Sequence, residues 1–269
     1  MSIWDNYFVF DGVDSRTFGA IAFFNDVDSS PIKEYTTSVI PGRSGDFLLN
    51  DRRFANIAHV YDVVIPTNFE TNYANLRAFL LSRDGYCRLE DNSHPDEFYQ
   101  AYFSEQIKPR VSRDRDIGRF QITFNRKPQR WLKSGEEEIT IYGNGTDLSS
   151  INNPTHFASR PVLHYVFRYG YAFHGDVDIN STGIRRNTAG YPDGIKNVFV
   201  DFDTLQTYGS ASTDSENYVG LNKYVDFIIP SDSSKAFALS PGDNSIVWTY
   251  PSEMSNITAF SITPRWYTI

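Results

Sequence analysis

One cysteine, Cys87, in 269 residues excludes an intramolecular disulfide and any zinc site built on several thiolates. It fits a chain assembled in a reducing cytosol. Long apolar runs are missing too. Nothing approaches the roughly 18 uninterrupted apolar residues of a membrane helix, so no membrane insertion is expected. The opening MSIWDNYF has no basic region ahead of an apolar run, so no secretion signal is expected there. Basic residues are outnumbered, 25 Lys and Arg against 33 Asp and Glu, and the formal charge of −8 argues against nucleic acid as the primary partner.

Motifs that carry chemistry are equally scarce. None of His59, His94, His156, His164 and His174 stands in an HExxH pattern. His164 and His174 fit facing strands and read as core or surface residues. Gly42-Arg43-Ser44-Gly45 is one residue short of GxSxG, leads into no helix, and lacks the lysine and glycine spacing of a phosphate loop. Asp176-Val177-Asp178-Ile179-Asn180 begins like a calcium loop, but Ser181 and Asn187 stand where glycine and glutamate are needed. Asp201 and Asp203 make an acid pair of the kind a glycosidase uses, yet among 33 acids such pairs arise by chance. No catalytic residue, metal or cofactor is expected.

Aromatics are abundant at 16% of the chain, with 17 Tyr and 21 Phe, and favour sheets over helical bundles. Gly118 to Gly135 is the turning point. Phe120, Ile122 and Phe124 alternate with polar residues as on a half-buried strand, and Lys127-Pro128 ends it. Trp131 follows, then Ser134-Gly135 and three glutamates as a solvated connector. Before this point lies the only convincing helix, near 68–83. Thr67-Asn68-Phe69-Glu70 reads as its capping box, Phe69, Tyr73, Leu76 and Leu80 as its apolar face, and Gly85 as its stop. Around it, Tyr7–Phe10, Ile21–Phe24, Tyr35–Ile40, Ala58–Ile65, Tyr86–Leu89 and Phe98–Phe103 read as strands.

After the turning point only strands and turns remain: Ile139–Tyr142, Val162–Phe167, Val177–Ile179, Val198–Phe202, Tyr224–Ile229, Phe237–Leu239, Ser245–Trp248 and Ala259–Ile262. Residues 203–220 read as an exposed loop. The expected organisation is an α+β domain over 1–133, mostly β with one helix, and an all-β sandwich of jelly-roll type over 134–269.

Charge is uneven along the chain. Residues 108–133 hold nine basic residues and only Asp114 and Asp116, between two acidic segments. Arg110, Arg113, Arg115 and Arg119 are therefore candidates for an interface with an acidic partner such as another copy of the chain. Asp84, Glu90, Asp91, Asp96 and Glu97 are the proposed acids. The alternative, solvated edge strands guarded by cations, stays open. Trp248 and Trp266 are candidates for stacking on sugar rings, with core packing as the competing reading.

Four stretches resemble the distal tail protein (Dit) family of long non-contractile-tailed bacteriophages, along essentially the whole chain. They are Val39-Ile40-Pro41-Gly42-Arg43-Ser44-Gly45, the helix Asn72 to Leu80, Phe124 to Trp131 (FNRKPQRW), and Leu239 to Ile246 (LSPGDNSI) with Ile262 to Tyr267 (ITPRWY). Ser44 stands where the family often has aspartate or asparagine, and Tyr267 where a second tryptophan is common. The resemblance implies a ring-forming N-terminal domain and a galectin-like C-terminal sandwich. It further implies a non-enzymatic virion protein, assembled as a hexameric ring at the tail tip. Its implied neighbours are the tail tube protein, the tail-associated lysin or fibre hub, and receptor-binding proteins, with DNA only passing through the channel. A carbohydrate-binding adhesion module is the second reading, because a galectin-like sandwich can hold a glycan.

Overall fold

The computed structural model describes residues 3–24, 29–143, 146–167, 176–180, 182–186, 195–211, 219–222, 225–228, 238–249 and 257–269. The chain divides into two compact units, Met1–Trp131 with Ile269, and Leu132–Thr268.

The first unit holds β1 (Phe8–Phe10), β2 (Val13–Asp14), β3 (Ile21–Phe24), β4 (Lys33–Ser38), β5 (Phe47–Phe54), β6 (Ile57–Ile65), α1 (Phe69–Leu81), β7 (Cys87–Asp91), β8 (Glu97–Phe103), β9 (Arg110–Val111) and β10 (Gly118–Arg126). Seven of these strands pair in the order β2-β1-β7-β8-β10-β6-β3, and β9 also pairs with β10. β6 and β10 run antiparallel from Gly118 opposite Ile65 to Arg126 opposite Ile57. Their alternation places Phe120, Ile122 and Phe124 beside Val63, Tyr61 and His59 on the buried face, as the period of two requires. α1 lays Phe69, Leu76 and Leu80 into this core, against Phe8, Phe10 and Phe124. Each such side chain contributes about 1.5–3 kcal/mol on burial.

The helix start departs from the expected capping box. Its N-cap is Asn68, in the left-handed region at φ 50°, with no side-chain cap bond. Asp116 caps instead from the β9–β10 loop: its Oδ1 accepts from Asn68 N–H at 2.7 Å and its carbonyl from Phe69 N–H at 3.1 Å. A carboxylate there complements the positive end of the helix. Gly118 closes the same corner, because a Cβ on it would lie 2.1 Å from the Phe69 ring. At the far end the helix stops at Ser82, three residues before Gly85.

β11 (Arg130–Leu132) leads into the second unit. There follow β12 (Ile139–Gly143), β13 (Thr146–Asp147), β14 (Ser150–Asn153), β15 (Val162–Phe167), β16 (Asp176–Ile179), β17 (Thr182–Arg186), β18 (Asn197–Asp201), β19 (Gln206–Ser210), β20 (Val219–Gly220), β21 (Val225–Ile228), β22 (Gly242–Thr249), β23 (Ile257–Thr263) and β24 (Tyr267–Thr268). One sheet runs β13-β12-β23-β15-β18-β19-β20 and the other β14-β22-β16-β17-β21. Leu163, Tyr165, Val200, Phe260 and Ile262 of the first sheet share a core with Val177, Ile179 and Ile246 of the second. This is a β-sandwich.

Three expectations are corrected. Residues 206–210 are a strand, not loop, with Thr207 and Ser210 buried; small polar side chains sit in a ladder when its neighbours cover them. Of Phe237–Leu239, Leu239 makes an isolated bridge to Ser159, while Phe237 lies outside the described residues. The connector is not wholly solvated. Gly135 is buried, its carbonyl accepts from Arg265 N–H at 2.7 Å, and a Cβ there would lie 2.3 Å from the Trp266 nitrogen.

Candidate functional site

The four candidate arginines are all exposed, but they do not act alike. Arg115 pairs with Glu70 of α1 at 3.2 Å. Arg113 stands in the β9–β10 loop. Arg110 and Arg119 face each other in register across β9 and β10, and with Lys108 they line a groove of about 910 Å³ on the outer face of β3, β6 and β10. Of the proposed acids, Asp84 and Asp96 are exposed. Asp91 is only 4% exposed, so it cannot reach a neighbouring molecule. Glu90 pairs with Arg88 and Glu97 with Arg130, both within the chain.

β4 and β5 form a two-stranded sheet of their own, joined by Val39 to Asp46. Gly42 and Gly45 take φ of 79° and 87°, which suits this turn to glycine. The arm buries little of its apolar surface: Val39 is 75% exposed and Leu48 55%, with Tyr35, Phe47 and Leu49 also exposed. A lone hairpin that buries so little is marginal in water by itself.

Two polar clusters, the first buried and the second opening to solvent through exposed Glu138, resemble chemistry without supplying it. In the first unit Tyr61 Oη donates to Asp91 Oδ2 at 2.8 Å. His59 Nε2 lies 2.9 Å from Tyr61 Oη and 3.3 Å from Asp91 Oδ2. Because the Tyr61 proton is spent on Asp91, both groups present lone pairs to His59, and Nε2 is the protonated nitrogen. Phe24 stacks on His59 at 4.2 Å, and buried Arg126 lies over the Tyr99 ring at 4.6 Å. The His59 and Asp91 side chains are at most 1% exposed, so no substrate reaches them. In the second unit His164 Nδ1 lies 3.0 Å from Glu138 Oε1 and its Nε2 3.1 Å from Asn197 Oδ1. Ser261 donates to Glu138 Oε2 at 2.8 Å, so its hydroxyl is spent on the acid rather than offered to the imidazole.

These contacts set a pH dependence. The hydrogen bond from His164 holds Glu138 below the usual carboxylate range, opposed by burial and helped by Ser261. Burial pushes Asp91 and Asp201 up, but hydrogen bonds from His59 and Tyr61, and from Arg265, outweigh it and hold both low. With folded values below unfolded ones, the unfolded chain takes up protons first as pH falls. The stability these groups contribute is complete above the ordinary carboxylate range of about 4 and is lost below it. The denaturation midpoint is therefore expected to fall steeply below about pH 4, and Glu138→Gln to flatten part of that fall. A midpoint that rises as pH drops would contradict this.

The remaining candidates resolve individually. Asp201 accepts both Arg265 Nη atoms, at 2.9 and 2.8 Å, so it is not half of a hydrolytic acid pair; exposed Asp203 lies 3.9 Å from Arg160. Trp266 is 4% exposed and packs in the sandwich core, so it offers no face to a sugar. Trp248 lies on β22, and its side chain is outside the described residues. Asp176–Ile179 is a strand paired on both sides, by β17 and β22, rather than a cation loop. His174, Ser181 and Asn187 are also outside the described residues. Among the described residues, no three His, Cys, Asp or Glu side chains converge, and no helix is long and apolar enough to cross a membrane.

The residues that sequence reasoning passed over are asparagines. Asn244, wholly buried, accepts from Ser240 N–H at 2.7 Å and donates to the carbonyls of Ser240 and Gly242 at 2.8 Å and of Ile151 at 3.3 Å. Asn153 donates to the carbonyls of Phe157 and Leu239 and accepts from Thr155. The Pro241-Gly242-Asp243-Asn244 run was the available signal, since Asn244 is what holds that turn.

No protein-family model matches the chain, and no curated protein matches it by sequence. Solved structures do. The Dit protein of phage SPP1, described as a paradigm of the hub adsorption apparatus in phages infecting Gram-positive bacteria, superposes with a TM-score of 0.62 at 13% identity, over 98% of this chain and 99% of that one. A chain of the phage P2 baseplate in its activated conformation with Ca superposes with a TM-score of 0.52 at 9% identity, over 95% and 96%. This chain has the fold of a distal tail protein, a β domain carrying one helix followed by a galectin-like sandwich.

Proposed function

We propose that this chain is a structural hub of a phage tail tip, a non-enzymatic distal tail protein that closes into a hexameric ring. The observation that carries this reading is the likeness to SPP1 Dit over nearly the full length of both chains. The exposed apolar arm supports it, because such an arm needs a neighbour. Contacts between unlike patches run head to tail and close into a ring when the rotation allows. The ring continues the channel of the tail tube protein, lets DNA pass, and carries the tail-associated lysin or fibre hub and the receptor-binding proteins. Residues 1–133 form the ring in this reading. The carbohydrate-binding reading loses Trp266 to the core and gains no other support.

Gold-labelled antibody against the purified chain, applied to virions of the phage that encodes it, is expected to mark the tail tip alone. Label on the capsid or along the tail shaft would overturn the reading.

A further inference from the structure

The groove on the outer face of β3, β6 and β10 has two unlike halves. Ile21, Phe23, Val64 and Ile107 give it apolar lining, and Lys108, Arg110 and Arg119 give it a cationic end. Arg110 and Arg119 stand directly opposite one another in the ladder. Like charges so placed repel, and neither arginine has an ion pair among the described residues. The acids in the lining are Asp62, whose Oδ1 already accepts from the Gln121 amide at 2.9 Å, and exposed Glu105. The groove therefore lacks a carboxylate at the arginine pair and an apolar cover beside it.

One exposed segment of the chain carries those two features in sequence. Asp46 is followed by Phe47, Leu48 and Leu49 at the start of β5 in the arm, all four exposed. Alternation along β5 puts Leu48 on the side of Asp46, with Phe47 and Leu49 on the other. We propose that the arm of one copy docks in this groove of a second copy. Asp46 sits between Arg110 and Arg119, and Leu48, on the same side of the strand, covers the apolar groove lining. An aspartate there turns a repulsive arginine pair into two charge-assisted contacts. Arm and groove are different patches, so the contact is heterologous, as a ring requires. This inference rests on the self-assembly reading above and specifies its contact.

The test uses the full chain. Arg110→Glu with Arg119→Glu is expected to raise the concentration for half assembly about tenfold or more at low salt, and adding Asp46→Arg to recover most of it. The variant's melting curve checks that it is folded. A parallel experiment places Asp46→Cys and Arg119→Cys in a Cys87→Ser chain. Oxidation is expected to give a ladder of covalent oligomers that collapses on reduction, whereas the Asp46→Cys chain alone gives none beyond dimers. An unmodified chain that forms its ring, with the reversed arginines forming it equally well and the cysteine pair staying uncrosslinked, would overturn the docking contact and leave the hub reading intact. An unmodified chain that never assembles would overturn both.

Discussion

Asp91→Ala is expected to lower the stability of the first unit on the order of 3–5 kcal/mol, the usual cost of removing one partner from a buried charged cluster. The carboxylate accepts from Tyr61 Oη at 2.8 Å and lies 3.3 Å from His59 Nε2; its other oxygen accepts from Ser93 N–H at 2.9 Å and His94 N–H at 3.2 Å. Alanine strands those donors, and a buried donor without an acceptor costs about 1–3 kcal/mol. Burial together with the Asp91 charge pushes the Tyr61 phenol well above its ordinary range, so Tyr61 stays a donor in search of an acceptor. Asp91→Asn keeps one oxygen for these donors and should lose less. Urea unfolding of the full chain, resolved into its two units, measures both variants. A loss below about 1 kcal/mol for alanine would show that the cluster is tolerated rather than stabilising.

Asn244→Leu is the second large effect, this time in the sandwich. The side chain is wholly buried, and it satisfies Ser240 N–H and the carbonyls of Ile151, Ser240 and Gly242 at once. Leucine keeps the branching at Cγ but is bulkier and satisfies none of them, so a cost of about 3–5 kcal/mol follows from several stranded backbone groups. The β14–β22 pairing runs through the same turn, Ile151 standing opposite Asn244, so strand order should loosen there first. Asn180→Ala removes two outer contacts, its donation to Asn244 Oδ1 and its acceptance from the exposed Ser245 N–H, and should cost about 1 kcal/mol or less because water can replace them. Equal losses for the two variants would contradict the role assigned to Asn244.

What could be read from the sequence was whatever depends on local period. Phe120, Ile122 and Phe124 announce β10, and Phe69, Leu76 and Leu80 announce the buried face of α1. What could not be read depends on partners far along the chain. Thr67 and Glu70 have the form of a capping box, yet Asp116, 48 residues beyond Asn68, does the capping. Asp91 looks like one more surface acid until the fold brings it to His59, 32 residues away. β5 was missed because Asn50-Asp51-Arg52-Arg53 interrupts its apolar start, and its exposed Phe47 and Leu48 give no alternation of buried and solvent faces to read. The arginine cluster was visible as composition. Its division into Arg115, spent on Glu70, and the Arg110 and Arg119 pair in the groove was not.

The central claim is a ring of six, and the mass of the native assembly tests it most directly. Native mass spectrometry of the purified full chain at low salt is expected to show one dominant species of six copies, about 185 kDa for a 30.8 kDa chain, or a double ring at twice that mass. A species that stays at one or two copies across the accessible concentration range would contradict the account.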